Sequence, residues 1–231
     1  MKLARPNVFH PRIVLAVCDG DGDGLVEALR RRGLRARLTP WDDPLTDNAD
    51  LVILSSLSDF ADRREEFLAW TTRVANLLNP PAAVVWNSDV HYLSDLAAAG
   101  VSVQQRGGRG TTRQTSLVFL SGEQSHAFGT STGGKPSAAD QDFGYWDVGY
   151  AALDAACLQV GITRAELLYA RVDLIASAEG PVLRDLDLIA PDLGWHHLDN
   201  DTRALQQRRF ALGVESACER LGLGPLSHRG P

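Results

Sequence analysis

Two predicted strands in residues 167–191 constrain the fold most, because they carry acidic side chains where a buried strand would carry apolar ones. Side chains two apart on a strand share a face. Asp185 and Asp187 therefore lie on one face of their strand. A register that sets Asp173 opposite Asp185 also sets Arg171 opposite the second of these acids. The result is one patch of three carboxylates and one guanidinium, which we call the acid patch.

The acid patch has two interpretations. Like charges directly opposite each other destabilise a strand pair. A cationic group is therefore expected to lie against the patch. The alternative is a solvated hairpin face whose acids hold no ligand.

The first third of the chain alternates predicted strands and helices, which is typical of a parallel sheet. Its first segment, RIVLAVC, is a continuous apolar run, as expected for a strand buried on both faces. The predicted strands are Arg12–Cys18, Leu34–Leu38, Asp50–Leu54 and Ala83–Trp86, and the predicted helices are Leu25–Arg32 and Arg63–Leu78. We expect residues 1–86 to form an α/β N-terminal domain.

Residues 87–231 are expected to form a second domain that contains antiparallel strands. One hairpin is predicted from Ser116–Leu120 and His126–Phe128, and residues 167–191 form the second. Gly129–Asp142 has little hydrophobicity and is predicted to be a loop. The predicted helices are Asn87–Gly100, Val148–Gly161 and Thr202–Leu221.

Composition limits the partners of this chain. The net charge of −6 argues against a nucleic-acid surface, and no apolar run approaches membrane-spanning length. Met1–Arg12 lacks the apolar core of a signal peptide, and three widely spaced cysteines fit a reducing cytosol. We therefore expect a cytoplasmic protein with a small-molecule substrate and no nucleic-acid or membrane partner; a homodimer stays open. Abundant arginine and alanine beside two lysines, Lys2 and Lys135, indicate a high-GC bacterial genome.

Four segments, in this order, carry a family resemblance: NPPAAVVWNSDVHYLSDLAAAGV (79–101), GGRGT (107–111), SLVFLSGEQSHAF (116–128) and LLYARVDLIASAEGPVLRDLDLIAP (167–191). With them the chain resembles the ATP-grasp superfamily, in particular bacterial carboxylate–amine ligases related to prokaryotic glutathione synthetase. The resemblance implies an N-terminal α/β domain, then a region that clamps nucleotide between a lid and an acidic core. It also implies an activity in which a carboxylate becomes an acyl phosphate that an amine attacks.

The chain departs from this family where the nucleotide would be held. The resemblance implies a phosphate-binding lysine after Asn87–Asp89, but Val90 and His91 stand there. Gln104–Arg106 runs into the glycine loop and Thr112–Gln114 into the next strand, so we expect most of the lid to be missing. A triphosphate is normally met by several cationic groups. We therefore expect a reduced ATP-grasp-like core with a degenerate nucleotide site and no required cofactor, although Mg²⁺ stays open.

The acids of the patch stand where the resemblance implies magnesium ligands. Asp185-x-Asp187 replaces the family's Glu-x-Glu or Glu-x-Asn motif, and Asp173 matches the remaining metal position. Each shorter side chain has about 1.5 Å less reach. Carboxylate oxygens suit Mg²⁺. The three aspartates are therefore candidate metal ligands as well as candidate catalytic groups.

His196 and His197 follow the second acidic strand and are further catalytic candidates. On a strand they would face opposite ways, so at most one would reach the carboxylates. A histidine beside an aspartate is a usable acid/base pair near neutral pH. The alternative is that both are ordinary surface residues.

Substrate contacts are expected from side chains around the patch. Arg171 would orient an anionic group, and His126 serves either packing or substrate contact. The aromatic cluster Phe143–Tyr150 either staples the following helix or forms the wall of a pocket. The candidate substrate-binding residues are Arg171, Asp59, His126, Tyr145, Trp146 and Trp195.

Three functions of different class follow as hypotheses. The first is an enzyme that acts on a small metabolite in bacterial specialised metabolism and uses the former ligase cleft for acid/base chemistry without ATP. We favour it because the losses concentrate on nucleotide contacts while the core acids persist. The second is an ATP- and Mg²⁺-dependent carboxylate–amine ligase. The third is a non-catalytic small-molecule-binding or partner protein.

Overall fold

The computed structural model describes residues 9–18, 22–57, 60–104, 114–130, 137–138 and 143–224. The chain divides into two compact units, one of Met1–Pro81 with Ala204–Pro231 and one of Ala82–Arg203. The sequence-based division after residue 86 assigned the whole C-terminal helix to the second domain, whereas the structure groups most of it with the first unit. None of the described helices is long and apolar enough to cross a membrane.

The first unit is built on a parallel sheet of four strands in the order β2-β1-β3-β4. The strands are β1 (Arg12–Val17), β2 (Arg35–Pro40), β3 (Leu51–Leu54) and β4 (Leu77–Leu78), and the helices are α1 (Leu25–Arg31), α2 (Pro44–Asp47) and α3 (Arg64–Thr71). A 3₁₀ turn at Gly22–Gly24 precedes α1. In β1, Ile13, Val14, Leu15 and Ala16 are fully buried, which confirms the prediction from the apolar run.

The run Ala83–Trp86, predicted as the fourth strand, lies instead in helix α4 (Pro81–Asn87). The periodicity of a short apolar run does not distinguish a strand from a buried helix. The useful signal was Pro81, because proline is well suited to the first helical position. The fourth strand is Leu77–Leu78, so the predicted helix before it ends earlier, at Thr71.

The second unit is built on an antiparallel sheet in the order β7-β6-β5-β8-β9. Its strands are β5 (Gln114–Leu120), β6 (Glu123–Thr130), β7 (Ser137–Ala138), β8 (Tyr169–Ser177) and β9 (Gly180–Asp187). The remaining helices are α5 (Tyr92–Ala98), α6 (Phe143–Val160) and α7 (Asn200–Arg220), with 3₁₀ turns at Arg164–Glu166 and Trp195–His197. Both predicted hairpins are present. The α/β class, with a parallel N-terminal sheet and antiparallel strands in the core that follows, is confirmed.

One face of the second sheet is apolar and packs against α6. Its buried side chains include Leu117, Phe119, Val172, Leu174 and Leu186, together with Ala152 and Leu153 of α6. The helix approaches closely because Gly149 lacks a side chain: a Cβ there would lie 2.9 Å from Leu117 Cδ1 and Phe119 Cζ. The helix begins at Phe143 rather than at the predicted Val148, so the aromatic cluster is part of it.

Most of α7 packs into the first unit. Phe210 and Val214 are buried there. Glu215 pairs with Arg32 at 2.6 Å, and both side chains are about three-quarters buried. A segment more than 100 residues further along the chain therefore completes the core of the first unit.

Candidate active site

The opposite face of the second sheet carries polar side chains, and the strand register decides which of them meet. Asp173 pairs with Asp185 across β8 and β9. In the same ladder Arg171 pairs with Asp187. The predicted register is therefore confirmed, and the acid patch forms on one face of the sheet.

A β-bulge in β9 keeps the acids and the leucines on opposite faces. Two consecutive residues of β8 pair with Leu183 and Asp185, so Arg184 is the extra residue. Strict alternation would have placed Leu183 on the face of Asp185. The bulge instead leaves Leu183 fully buried in the apolar core. Arg184 donates a hydrogen bond to Gln114 Oε1 at 2.6 Å, on the polar face.

The polar face continues across the sheet in two rows of paired residues. One row runs from Asp185 through Asp173 and Ser116 to Phe128. The neighbouring row runs from Asp187 through Arg171 and Val118 to His126. Paired residues lie on the same side of a sheet, so both rows belong to the face that carries the acid patch.

Asp173 is the most buried acid of the patch, with 5% of its surface exposed. Its Oδ1 accepts a hydrogen bond from Ser116 Oγ at 2.7 Å and lies 3.2 Å from Arg171 Nε. Burial raises the pKa of the Asp173 carboxyl, while Arg171 and the Ser116 hydrogen bond act in the opposite direction. The fold thus favours the neutral form of this acid more than water does.

Asp187 and Arg171 are held by neighbouring protein groups. Asp187 Oδ1 accepts backbone hydrogen bonds from Ile189 at 3.0 Å and Ala190 at 3.3 Å, and so shapes the end of β9. Burial raises the pKa of the Asp187 carboxyl, whereas these backbone hydrogen bonds and Arg171 act to lower it. Arg171 lies within 4.0 Å of both Asp173 and Asp187 and donates to the carbonyl of Asp192 at 3.3 Å. Its charge is therefore shared between protein acids.

Asp185 and the backbone of β9 are anchored by two residues that the sequence did not single out as site residues. Tyr92 OH donates a hydrogen bond to Asp185 Oδ1, and burial and this bond raise the pKa of Tyr92, so its hydroxyl stays protonated. The Asn87 amide pairs with the edge of β9, donating to Leu186 O at 2.8 Å and accepting from Leu188 N at 2.7 Å. Asn87 belongs to a segment quoted for the family resemblance, which was the available signal.

His126 and Trp195 have packing roles on this face. His126 Nε2 donates to the carbonyl of Leu193 at 2.7 Å, and Nδ1 lies 2.9 Å from Ser125 Oγ. The Trp195 ring lies 5.5 Å from the imidazole and is almost fully buried. The structure shows these contacts of His126, and its substrate contact stays a prediction.

His196 and His197 lie in a 3₁₀ turn, so the strand geometry predicted for them is wrong. The αL conformation of Gly194 ends the extended segment before them. Their ring centroids are 3.8 Å apart, and the His197 ring lies 4.7 Å from that of Phe128. Burial and the neighbouring His196 lower the pKa of His197. Phe128 is on β6, two strands from Asp173, or about 10 Å at the usual strand spacing.

Tyr145 and Trp146 lie on the other side of the sheet from the acid patch. The Trp146 ring packs edge-on against Phe119 at 5.3 Å and is buried in the apolar core, and Tyr145 packs against the same cluster. The structure therefore does not bring these two aromatic residues to the acids. Asp59 and the glycine loop 107–111 lie outside the described residues.

The acids of the patch stand where the resemblance implies metal ligands, and their geometry bears on that role. Among the described residues, no group of three or more His, Cys, Asp or Glu side chains is arranged to hold a metal ion. Arg171 supplies the positive charge between Asp173 and Asp187. Each of the three acids instead has a protein partner of its own: Arg171 for Asp173, Tyr92 for Asp185 and the Ile189 amide for Asp187.

Comparisons of sequence find two similarities, each over part of the chain. Residues 9–79 match the family model described as "D-cycloserine synthetase DcsG, N-terminal domain". The cycloserine biosynthesis protein DcsG of Streptomyces lavendulae is 39% identical over 90 residues, which are 37% of this chain. The match spans 30% of the length of that relative.

Comparisons of structure extend the likeness over both units. A crystal structure of D-cycloserine synthetase DcsG superposes with a TM-score of 0.72 at 24% identity, covering 90% of this chain and 98% of that chain. D-alanine–D-alanine ligase of Bacillus anthracis, solved with ATP, gives a TM-score of 0.63 at 8% identity over 91% and 98%. The ATP-grasp ligase PsnB gives 0.59 at 14% identity over 91% and 100%.

These superpositions establish the fold, but sequence identities this low leave the reaction open. The N-terminal family match, the order of the sheets and these superpositions agree with one another. The chain therefore has the fold of the ATP-grasp ligases, and its residues 9–79 match the family model of the DcsG N-terminal domain.

Proposed function

We propose that this protein is an enzyme of natural-product biosynthesis, derived from ATP-grasp ligases, that acts on a small amino-acid-like metabolite at the acid patch. The observation that carries the proposal is Asp173, a buried carboxyl with a raised pKa at the centre of a cross-strand cluster of three acids. The similarity to a D-cycloserine synthetase and a D-alanine–D-alanine ligase supports the substrate class, since the names specify D-cycloserine and D-alanine, both small amino-acid-like compounds.

The chemistry proposed for Asp173 is general acid/base catalysis. A catalytic acid or base works best when its pKa lies near the working pH, and burial moves the pKa of Asp173 in that direction. Ser116 and Arg171 hold the carboxyl in one orientation through contacts of 2.7 and 3.2 Å. Asp185, directly opposite, disfavours the ionised form further. In this scheme Asp173 carries the proton and its neighbours fix its position.

We propose that this reaction does not consume ATP. The support comes from the sequence: Val90 and His91 stand where the resemblance implies a phosphate-binding lysine. Removing one partner of a buried charge pair typically costs about 3–5 kcal/mol. Loss of several such partners would weaken triphosphate binding far below a useful affinity.

A thermal-shift titration with ATP and MgCl₂ tests ATP independence. We expect no stabilisation through the former nucleotide site, because the cationic contacts are absent from the sequence segments where the family has them. A ligase would instead be stabilised by about 2.7 kcal/mol at a hundredfold excess over its dissociation constant. D-Alanine–D-alanine ligase serves as the positive control, and a saturable shift of that size that arises at the former nucleotide site would remove this part of the proposal.

A mass-spectrometric screen with a panel of D-amino acids and their dipeptides, with and without ATP, tests the catalytic role. We expect conversion without ATP and a loss of about 10²–10⁴-fold in the Asp173→Asn variant, the usual contribution of a general acid or base. Asp62→Asn, an exposed acid of the first unit, is the matched control. Full activity of Asp173→Asn would exclude Asp173 as the proton carrier.

The alternative function is an ATP- and Mg²⁺-dependent carboxylate–amine ligase. It is favoured by the position of Asp173, Asp185 and Asp187 on one face, where the resemblance implies metal ligands. Amide products that form in the screen only when ATP is added would establish this function. Binding of a panel member without any conversion would favour a non-catalytic binding protein.

A further inference from the structure

An arginine-lined cavity lies in the first unit, where the amino-terminal ends of β1 and β2 meet the end of α1. Its volume is about 470 Å³. Small-molecule pockets typically span about 300–1,000 Å³. Arg12, Arg30, Arg35 and Arg37 line it, with apolar surface from Ile13 and Ala36.

The parallel register gathers these arginines on neighbouring strands. Arg12 on β1 pairs directly with Arg35 on β2. Arg35 and Arg37 are two apart on β2 and share a face. Like charges at such positions destabilise a sheet unless a counter-charge is present.

Acidic side chains of the protein neutralise only some of these arginines. Arg12 forms a two-point ion pair with Asp50, at 3.1 Å for each contact. Arg30 donates through Nε to the carbonyl of Ala36 at 3.0 Å. Arg35 and Arg37 are exposed, and within the described ranges the structure gives neither of them an ion pair. A chain with a net charge of −6 therefore concentrates unneutralised positive charge in one cavity.

We propose that this cavity binds a small polyanion, a metabolite bearing phosphate or several carboxylates, held between Arg35 and Arg37. A guanidinium presents a planar fork of donors that matches both anions. The volume of the cavity matches a metabolite, and the net charge of −6 argues against a nucleic acid as its ligand. α/β folds bind their substrates at the carboxyl ends of parallel strands. This cavity lies at the opposite ends and is a second ligand site, independent of the acid patch.

Isothermal titration calorimetry of the full chain tests the proposal, with pyrophosphate as the first probe and citrate as the second. We expect wild-type protein to bind pyrophosphate with an affinity that falls as salt is added, because the contacts are ionic. The variant Arg35→Gln/Arg37→Gln should bind at least about tenfold more weakly, a loss of about 1.4 kcal/mol. Both residues are exposed, so the variant keeps the core intact.

The matched control is Arg73→Gln/Arg208→Gln, which removes two exposed positive charges from the same unit outside the cavity. It should bind pyrophosphate like the wild type. Binding of pyrophosphate alone identifies a phosphate ligand, and binding of both probes identifies a ligand recognised by charge. Failure of the wild type to bind either probe, or equal losses in both double variants, would overturn the proposal. So would binding of a single-stranded oligonucleotide when neither small anion binds.

The same variant separates this site from the nucleotide question. ATP is itself a polyanion, so a thermal shift with ATP that disappears in Arg35→Gln/Arg37→Gln arises from this cavity. A shift that persists in the variant arises elsewhere and bears on the proposed function instead.

Discussion

Asp173 is a residue whose ionisation opposes folding. Its pKa is raised in the folded protein, chiefly by burial. In the unfolded chain an aspartate titrates at about 3.9. Between these two values the folded state binds more protons than the unfolded state, so the free energy of unfolding falls as pH rises through this window. Above the folded pKa the stabilisation supplied by the protonated form is lost.

The variant Asp173→Asn mimics the neutral carboxyl and can still accept the Ser116 hydrogen bond. We expect its free energy of unfolding at pH 7 to exceed that of the wild type, and the difference to vanish below the unfolded pKa of about 3.9. Urea titrations at both pH values measure this. Asp62→Asn should change stability by less than about 0.5 kcal/mol throughout. A variant less stable than wild type at pH 7 would show that the pair with Arg171 outweighs burial.

The residues that orient the patch were harder to predict than its acids. Asp173, Asp185 and Asp187 follow from alternation along one hairpin, which is local information. Asn87 reaches the carbonyl of Leu186, 99 positions away in the chain, and no local pattern reports such a contact. The turn of His196 and His197 did have a local signal, since the backbone turns at Gly194, which precedes Trp195.

At the scale of elements, the side chain of Asn87 joins α4 to the edge of β9. Asn87 satisfies the Leu186 carbonyl and the Leu188 amide, and it is 8% exposed. Each buried backbone group left without a partner costs about 1–3 kcal/mol.

We therefore expect Asn87→Ala to lower the free energy of unfolding by about 2–6 kcal/mol, measured by urea denaturation. Asn48→Ala removes an exposed amide that bonds to Pro44 O at 2.9 Å and is the matched control. It should cost less than about 1 kcal/mol. Equal costs would show that the link between Asn87 and β9 contributes little.

The two hairpins were predictable because each joins neighbouring segments through a short turn. Elements without such a local signal were not. Leu77–Leu78 forms a strand of two residues whose partner is β3, so only the assembled sheet reveals it. The apolar composition of Ala83–Trp86 is typical of a strand. The segment is nevertheless helical, because Pro81 favours a helix start and Ala83 and Val84 pack in the interior.

At the scale of the whole molecule, the first unit is completed by a segment from the far end of the chain. Phe210 of α7 is 1% exposed and lies in the first unit, which contains the parallel sheet. Phe210→Ala should lower the free energy of unfolding by about 3–5 kcal/mol, the usual cost of such a cavity.

Hydrogen exchange measured by mass spectrometry should show the loss of protection in β1 and β3 and leave β8 largely unchanged, because the cores of the two units are separate. Leu205→Ala, on the same helix but 55% exposed, is the control and should change stability by less than about 0.5 kcal/mol. Equal loss of protection in both units would show that they unfold as one.

The bulge at Arg184 has a consequence for sequence variation. Loss of that one codon would leave Leu183 and Asp185 on the partners they already have, so the strand would become regular and each acid would stay where it is. The strand would lose only the Arg184 guanidinium and its hydrogen bond to Gln114. The placement of the acids therefore does not require Arg184. Homologues one residue shorter at this position should present the same three acids.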